Sequence, residues 1–290
     1  MDQLKFNPIS HTAIVTMDYL KDTDIPYAAD FGRLLNIEQE HQLLVKGSSE
    51  YETYFQFTQT KVESRVKGSD YVIRSIGNSN VLDIACGFTS RSVYLSKEGY
   101  HYVGADLPYV IEKIRPLVEG FIDNHEELHA YKSNIQYSVV DATDYAALER
   151  ATAHMTGPIT VTCEGLLLYL PAYEQKEVAK NIHKLLSKHG GVWITSDLDE
   201  QKYGAHSDAV QNFVFRGVTD KKISPDSFNT CEQALKMLAD VGFDIGSEVY
   251  QPEMGDITTL ANVSEADRAA MFARNCRWEF LTLRCQKLSR

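Results

Sequence analysis

The stretch VLDIACGFTSRSVYL, residues 81–95, decides the fold of this chain. It opens with VLDIA, a short and mainly apolar run that is typical of a strand buried on both faces, as in parallel sheets covered by helices. Gly87 ends the run, and Thr89 is predicted to cap a helix because residues 91–95 continue at helical spacing. The stretch therefore predicts a strand, a tight glycine turn and a helix.

A second strand and an acidic residue follow. YHYVGA, residues 100–105, predicts the strand, and Asp106 stands at its carboxyl end, where a carboxylate can accept hydrogen bonds from both hydroxyls of a ribose. A dinucleotide site needs G-x-G-x-x-G for its pyrophosphate, but Thr89 occupies the second glycine position. S-adenosylmethionine carries an adenosine and no phosphate, so it fits Gly87 and Asp106 better. The open alternative is an ordinary strand, turn and helix whose acid caps a loop.

The composition limits the classes of protein to which the chain can belong. Its 290 residues are 43% hydrophobic, which suits one large domain with an elaboration. The net charge of −11, without a cluster of basic residues, speaks against a nucleic-acid partner. The N-terminal segment lacks the pattern of a secretion signal, and no apolar run approaches the length of a membrane span. We expect a soluble, cytoplasmic protein without a membrane partner.

Acidic residues also end two later strands of the predicted sheet. Asp141 and Ala142 end the third strand, where they can hydrogen-bond an adenine edge, although Asp141 can equally cap the next turn. Glu164 ends the fourth strand, residues 159–163, and its carboxylate can accept from the ammonium of a methionyl group. Arg65 lies before the first strand, where a guanidinium can bind a carboxylate or simply be solvated.

The whole chain predicts one α/β domain: a Rossmann-like, seven-stranded, mostly parallel sheet with helices on both faces. The last three strands are predicted at residues 192–196, 243–250 and 278–285. We expect four parts: a helical cap (1–78), a cofactor-binding core (79–197), a lid insertion (198–228) and the C-terminal part of the sheet (229–290).

Several of these motifs together resemble the leucine carboxyl methyltransferase family, which includes bacterial polyketide O-methyltransferases. The resemblance rests on Arg65, VLDIACG (81–87) with the following Arg91, GADLP (104–108), VVDA (139–142) and CEGLLLYLP (163–171). The chain departs from the family pattern in two places. Ala85 replaces a frequent glycine, which costs little if the turn relies on Gly87, and Thr89-Ser90 replaces the usual Asp-Thr.

The resemblance implies a role for each matching residue. Arg65 would bind the carboxylate of S-adenosylmethionine, Gly87 would contact its methionyl part, and Asp106 would hold the ribose. The remaining matches are adenine contacts from Asp141 and Ala142 and a further cofactor contact from Glu164.

The expected reaction is O-methylation of a carboxylate or hydroxyl of a small molecule by in-line displacement, with S-adenosylhomocysteine as product. A carboxylate is ionised at neutral pH and needs no general base, whereas an alcohol or phenol does, and Tyr169 and His206 are the candidates for that base. Asp197 and Asp199 can be drawn as magnesium ligands, but such acids more often cap loops, so we predict no metal.

Two alternatives to a methyltransferase remain open from the sequence. One is a nicotinamide-dependent oxidoreductase, and the other is a nucleoside-binding protein without turnover. Neither the identity of the acceptor nor the oligomeric state is indicated by any pattern in the chain.

Overall fold

The computed structural model describes residues 10–36, 49–198 and 230–286. These residues form one seven-stranded sheet. Its strands are β1 (Asn80–Ile84), β2 (His101–Asp106), β3 (Ile135–Val139), β4 (Ile159–Cys163), β5 (Gly191–Thr195), β6 (Phe243–Tyr250) and β7 (Trp278–Cys285).

The strands lie in the order β3-β2-β1-β4-β5-β7-β6. The first five are parallel, and β7 runs antiparallel to both β5 and β6. Every residue of β1 and β4 is buried, because these strands lie in the middle of the sheet with helices on both faces. The predicted fold class, a Rossmann-like and mostly parallel seven-stranded sheet, is confirmed.

Nine α-helices accompany the sheet in the described part of the chain. They are α1 (Ser10–Leu20), α2 (Ala28–Leu34), α3 (Ser49–Ile76), α4 (Arg91–Lys97), α5 (Pro108–Asp123), α6 (Tyr145–Ala151), α7 (Ala172–His189), α8 (Cys231–Val241) and α9 (Glu265–Asn275). None of the helices found there is long and apolar enough to cross a membrane.

The apolar core lies on both faces of the sheet. On one face Val81, Tyr102 and Ile194 belong to the cluster that also contains residues of α1 to α5. On the other face Leu82 and Trp193 belong to the cluster that contains residues of α6, α7 and α8. Neighbouring residues of one strand thus enter opposite cores, as the alternation of side chains along a strand requires.

A buried network of charges joins α3 to the sheet. Arg91 donates through Nε to Asp70 (2.8 Å) and through Nη1 to Asp83 of β1 (3.0 Å). Tyr94 donates to Asp70 (2.5 Å), and Tyr102 donates to Asp83 (2.7 Å). Burial raises the pKa of Asp70, although Arg91 and Tyr94 favour its charged form. The arginine that follows the glycine turn is therefore engaged in holding the fold.

The other half of α3 is attached to the chain between β6 and β7. Glu63 accepts from the backbone N–H of Thr258 (2.8 Å), and Ser64 donates to the carbonyl of Cys276 (2.9 Å). These two residues directly precede Arg65. Their contacts fix the rotation of α3 about its axis, and with it the direction of the Arg65 side chain.

Two predictions need comment. Thr89 does not cap α4: its hydroxyl donates to the carbonyl of Cys86 (3.2 Å), and the N-cap is Ser90. The tight turn explains this difference, because a threonine hydroxyl readily bonds to nearby backbone. The predicted lid lies outside the described residues apart from Leu198, and the division of the chain into four parts stays a prediction.

Candidate functional site

The turn after β1 is held against the end of β2. The backbone N–H groups of Ala85 and Cys86 both donate to the carbonyl of Ala105, at 2.8 and 3.3 Å. The backbone N–H of Gly87 then donates to Oδ2 of Asp106 at 2.9 Å. The structure thus brings together Gly87 and Asp106, the two residues on which the prediction of a nucleoside site depends.

Both Ala85 and Gly87 lie in the left-handed region, each with φ of +59°. The turn therefore relies on Ala85 as well as on Gly87, so the replacement of the frequent glycine by Ala85 has a cost. An L-residue with a Cβ is strained in this region by about 1–2 kcal/mol, so Ala85 stores strain at the carboxyl end of the central strand.

Asp106 is a partly buried carboxylate with backbone donors on both oxygens. Its Oδ1 accepts from the N–H of Leu107 at 2.7 Å, and its Oδ2 accepts from the N–H of Gly87. Burial raises the pKa of Asp106 to about 6, and the two hydrogen bonds only partly oppose this shift. Each carboxylate oxygen can accept more than one hydrogen bond, so ribose hydroxyls can be added without displacing either N–H.

Arg65 and Glu164 form a second pair at the same edge of the sheet. Their Nε and Oε2 atoms lie 3.8 Å apart, and the side chains are 16% and 9% exposed. Arg65 Nε is buried and has no hydrogen-bond partner among the described residues. Glu164 accepts from the backbone N–H and the hydroxyl of Ser196, at 3.1 and 2.6 Å.

Asp197 holds the turn that follows Glu164. Its carboxylate accepts from the backbone N–H groups of Gly165, Leu166 and Leu167, at 2.7, 2.8 and 3.0 Å. These contacts make Asp197 a turn cap, which is the alternative to a magnesium ligand. Asp199 lies outside the described residues, and the part of the chain that is described contains no group of three residues suited to a metal.

The structure places Asp141 and Ala142 at the end of β3, beside the strand that ends in Asp106. Asp141 is exposed, and its Oδ1 accepts from the N–H and the hydroxyl of Thr143, at 2.9 and 2.7 Å. Ala142 is buried, and its carbonyl accepts from Asn181 at 3.1 Å. Asp141 therefore does cap its turn, while the adenine contacts of both residues stay a prediction.

The structure describes only one of the two candidate bases. Tyr169 is partly buried at the end of a short 3₁₀ helix, Leu167–Tyr169, which directly follows the turn capped by Asp197. Gln175 of α7 donates to the carbonyl of Leu167 at 2.9 Å, and this hydrogen bond attaches the 3₁₀ helix to α7. His206 lies outside the described residues, and the role of a general base stays a prediction for both residues.

One feature of the site could not be predicted from the sequence. Helix α1 covers the glycine turn: a Cβ on Gly87 would lie 3.5 Å from Cβ of Ala13. The hydroxyl of Ser90 donates to the carbonyl of Pro26 at 2.7 Å, which closes the start of α4. No local pattern in α1 signals this contact, because it joins residues that are distant along the chain.

Comparison with known proteins supports the fold and nothing finer. No family model and no curated protein matches the chain. The magnesium protoporphyrin IX methyltransferase of Synechocystis, solved with bound SAH (S-adenosylhomocysteine), has a TM-score of 0.50 and 14% identity, over 96% of this chain and 100% of that one. A SAM-dependent methyltransferase of Anabaena variabilis has a TM-score of 0.49 and 15% identity, over 78% and 86%. The chain shares the fold of the Synechocystis enzyme.

Proposed function

We propose that this chain is a methyltransferase that uses S-adenosylmethionine, transfers the methyl group to a carboxylate or hydroxyl oxygen of a small molecule, and releases S-adenosylhomocysteine. The proposal is supported by two pairs of residues at the carboxyl edge of one parallel sheet. Gly87 with Asp106 and Arg65 with Glu164 offer donors and acceptors for the ribose and for the amino-acid part of such a cofactor.

The observation that carries the proposal is that the buried Nε of Arg65 has no hydrogen-bond partner among the described residues. Leaving a buried polar N–H without a partner costs about 1–3 kcal/mol, and more for a charged group. This guanidinium is held 3.8 Å from Glu164, so it could bind a ligand carboxylate while the glutamate accepts from a ligand ammonium. A zwitterionic amino-acid group matches that combination of charges.

The remaining residues fit the nucleoside part of the cofactor. Asp106 would accept from the ribose hydroxyls, as its free lone pairs allow. Asp141 and Ala142 would lie beside the adenine at the end of the neighbouring strand. Gly87 would let the methionyl part approach the backbone beside Ala13, since glycine itself carries no side chain.

Methyl transfer needs little proton chemistry from the protein. The bound cofactor supplies a methyl carbon that is activated by its positive sulfur. The residues of this chain have to hold the cofactor and the acceptor oxygen in line and keep water away. Tyr169 follows the Glu164 turn and is our candidate for contact with the acceptor. A carboxylate acceptor would need no base; an alcohol would need one, from Tyr169 or His206.

The start of α4 disfavours the oxidoreductase alternative. A dinucleotide places its pyrophosphate on exposed N–H groups at the start of the helix after the glycine turn. Here Phe88, Ser90 and Arg91 are buried, and the carbonyl of Pro26 is bonded to Ser90. An anion of that size would have to displace this packing, whereas S-adenosylmethionine carries no phosphate.

The finer parts of the proposal are supported by the sequence. They are membership of the leucine carboxyl methyltransferase family, an oxygen acceptor on a small molecule, the absence of a nucleic-acid or membrane partner, and a cytoplasmic location. The net charge of −11 supports the exclusion of nucleic acid, because a polyphosphate would be repelled.

Titration calorimetry tests the choice of cofactor. We expect S-adenosylhomocysteine and S-adenosylmethionine to bind and NAD not to bind. Arg65→Met should weaken binding of S-adenosylhomocysteine by about 10–100-fold, since hydrogen bonds to charged groups are worth about 1.5–3 kcal/mol. Arg74→Met is the matched control, because Arg74 lies on the same helix but pairs with the exposed Glu98. Tighter binding of NAD than of S-adenosylhomocysteine would refute the proposal.

Turnover separates an enzyme from a nucleoside-binding protein. Incubation with S-adenosylmethionine and a mixture of small-molecule carboxylates and alcohols should form S-adenosylhomocysteine above the background without acceptor. A methylated product that is labile to base would identify an ester and hence a carboxylate acceptor. Cofactor binding without any product would favour the binding-protein alternative.

A further inference from the structure

The ends of β4 and β5 are joined by an ordered series of hydrogen bonds. Thr195 donates from its hydroxyl to the carbonyl of Cys163 at 2.7 Å. Ser196 donates from both its backbone and its hydroxyl to Glu164. Asp197 then accepts from the three backbone N–H groups that follow Glu164. Three consecutive residues of one strand end thus hold consecutive residues of the other.

The part held by Asp197 is a turn that would otherwise be free to change shape. It begins at Gly165, which has φ of +73°, and its three N–H groups point at one carboxylate. Asp197 is only 2% exposed, so these hydrogen bonds to a charged acceptor are shielded from water. The series therefore fixes both the direction of the turn and the residue that precedes it.

That preceding residue, Glu164, is one half of the pair with Arg65. Ser196 engages both oxygens of its carboxylate, the backbone N–H reaching Oε1 (3.1 Å) and the hydroxyl reaching Oε2 (2.6 Å). Oε2 is also the atom that lies 3.8 Å from Arg65 Nε. The orientation of the glutamate towards the guanidinium is thus set by residues at the end of the next strand.

From these contacts we infer that Ser196 and Asp197 are positioning residues for the amino-acid part of the cofactor. They act through Glu164 and its turn, and they do not touch the ribose side of the site, which Gly87 and Asp106 form. The inference rests on the proposed function, and it adds a separation: the two halves of the cofactor are held by independent parts of the protein.

The test compares two ligands that differ in the amino-acid part. S-adenosylhomocysteine carries it, whereas 5′-methylthioadenosine has the same nucleoside without carboxylate or ammonium. Asp197→Asn places an amide NH₂ against a backbone N–H and loosens the turn. We expect this change to weaken the binding of S-adenosylhomocysteine by about tenfold or more, and the binding of methylthioadenosine by less than about twofold. Ser196→Ala removes one hydrogen bond to Glu164. It should weaken the binding of S-adenosylhomocysteine by about fivefold and leave the binding of methylthioadenosine unchanged.

The matched control is Asp144→Asn. Asp144 also accepts from a backbone N–H, that of Ala146 at 2.9 Å, but it is exposed at the start of α6. This variant should bind both ligands as the unmodified protein does. A role in folding alone would lower both affinities together in Asp197→Asn, so an equal loss for the two ligands, or no loss, overturns the inference.

Three further outcomes also bear on the inference. If Asp197→Asn does not fold, Ser196→Ala decides: a selective loss of S-adenosylhomocysteine supports the inference, and an equal loss or none overturns it. If the unmodified protein binds methylthioadenosine but not S-adenosylhomocysteine, the amino-acid site does not exist and the inference falls. If it binds neither ligand, the proposed function itself is refuted.

Discussion

The affinity of the protein for the proposed nucleoside ligand should depend on pH through Asp106. Burial raises the pKa of this carboxyl to about 6. In the proposed complex the ribose hydroxyls would donate to the ionised form, so protonation of Asp106 would compete with binding. About nine tenths of Asp106 is ionised near pH 7 and about one tenth near pH 5, so the dissociation constant should rise by about tenfold over that range.

The assay is calorimetry with 5′-methylthioadenosine, which lacks the ionisable amino-acid groups of the full cofactor. Asp106→Asn should bind more weakly near neutral pH and should show no rise towards acid pH. Asp144→Asn changes an exposed helix cap and should show the same rise of the dissociation constant towards acid pH as the unmodified protein. An affinity that is constant across the range, or a slope that persists in Asp106→Asn, would show that this carboxylate does not hold the ribose.

The stability of the ligand-free protein should change in the opposite direction. The folded-state pKa of Asp106 is raised above its ordinary value of 3.8, so ionisation works against folding. Its contribution to stability is fully present below about pH 4 and is lost as the pH rises through about 6. Chemical denaturation of the free protein and of Asp106→Asn, compared across this range, should reveal the difference.

Two predictions concern the fold. Arg91→Met leaves two buried carboxylates without this cationic partner and should lower the free energy of unfolding by about 3–5 kcal/mol. Arg74→Met, which removes an exposed ion pair, should lower it by less than about 1 kcal/mol. Equal effects of the two changes would contradict a buried network. Ala85→Gly relieves the strain of the left-handed backbone at this position. This change should raise the free energy of unfolding by about 1 kcal/mol after the entropy of glycine is subtracted. A loss of stability would contradict that backbone geometry. Urea denaturation measures both.

Much of the sheet was predictable because the information is local. The bounds of β4, β6 and β7 are those predicted, 159–163, 243–250 and 278–285. The apolar runs and alternation that mark a strand lie within a few residues of one another. The ends of β1 and β2 were predictable for the same reason, since Asp106 is the last residue of β2 and Gly87 lies three residues after the end of β1.

The partners of charged residues were not predictable, because they are set by contacts between distant segments. Asp197 was recognised as an acid at a strand end, but the three N–H groups that it accepts from belong to another strand end. In the same way Arg91 stood out within a motif, while its partners Asp70 and Asp83 come from α3 and β1.

The sequence by itself determined which segments are strands and which residues lie at their ends, because hydrophobic periodicity and glycine placement act over short distances. For the same reason it predicted a nucleoside without a pyrophosphate at the first turn. Only the tertiary structure decided that Ala85 shares the left-handed geometry of Gly87 and that α1 covers the turn. It also decided that Arg65 lies beside Glu164 with an Nε that has no hydrogen-bond partner among the described residues. These features depend on the order in which the strands pair and on the rotation of α3, which no local pattern encodes.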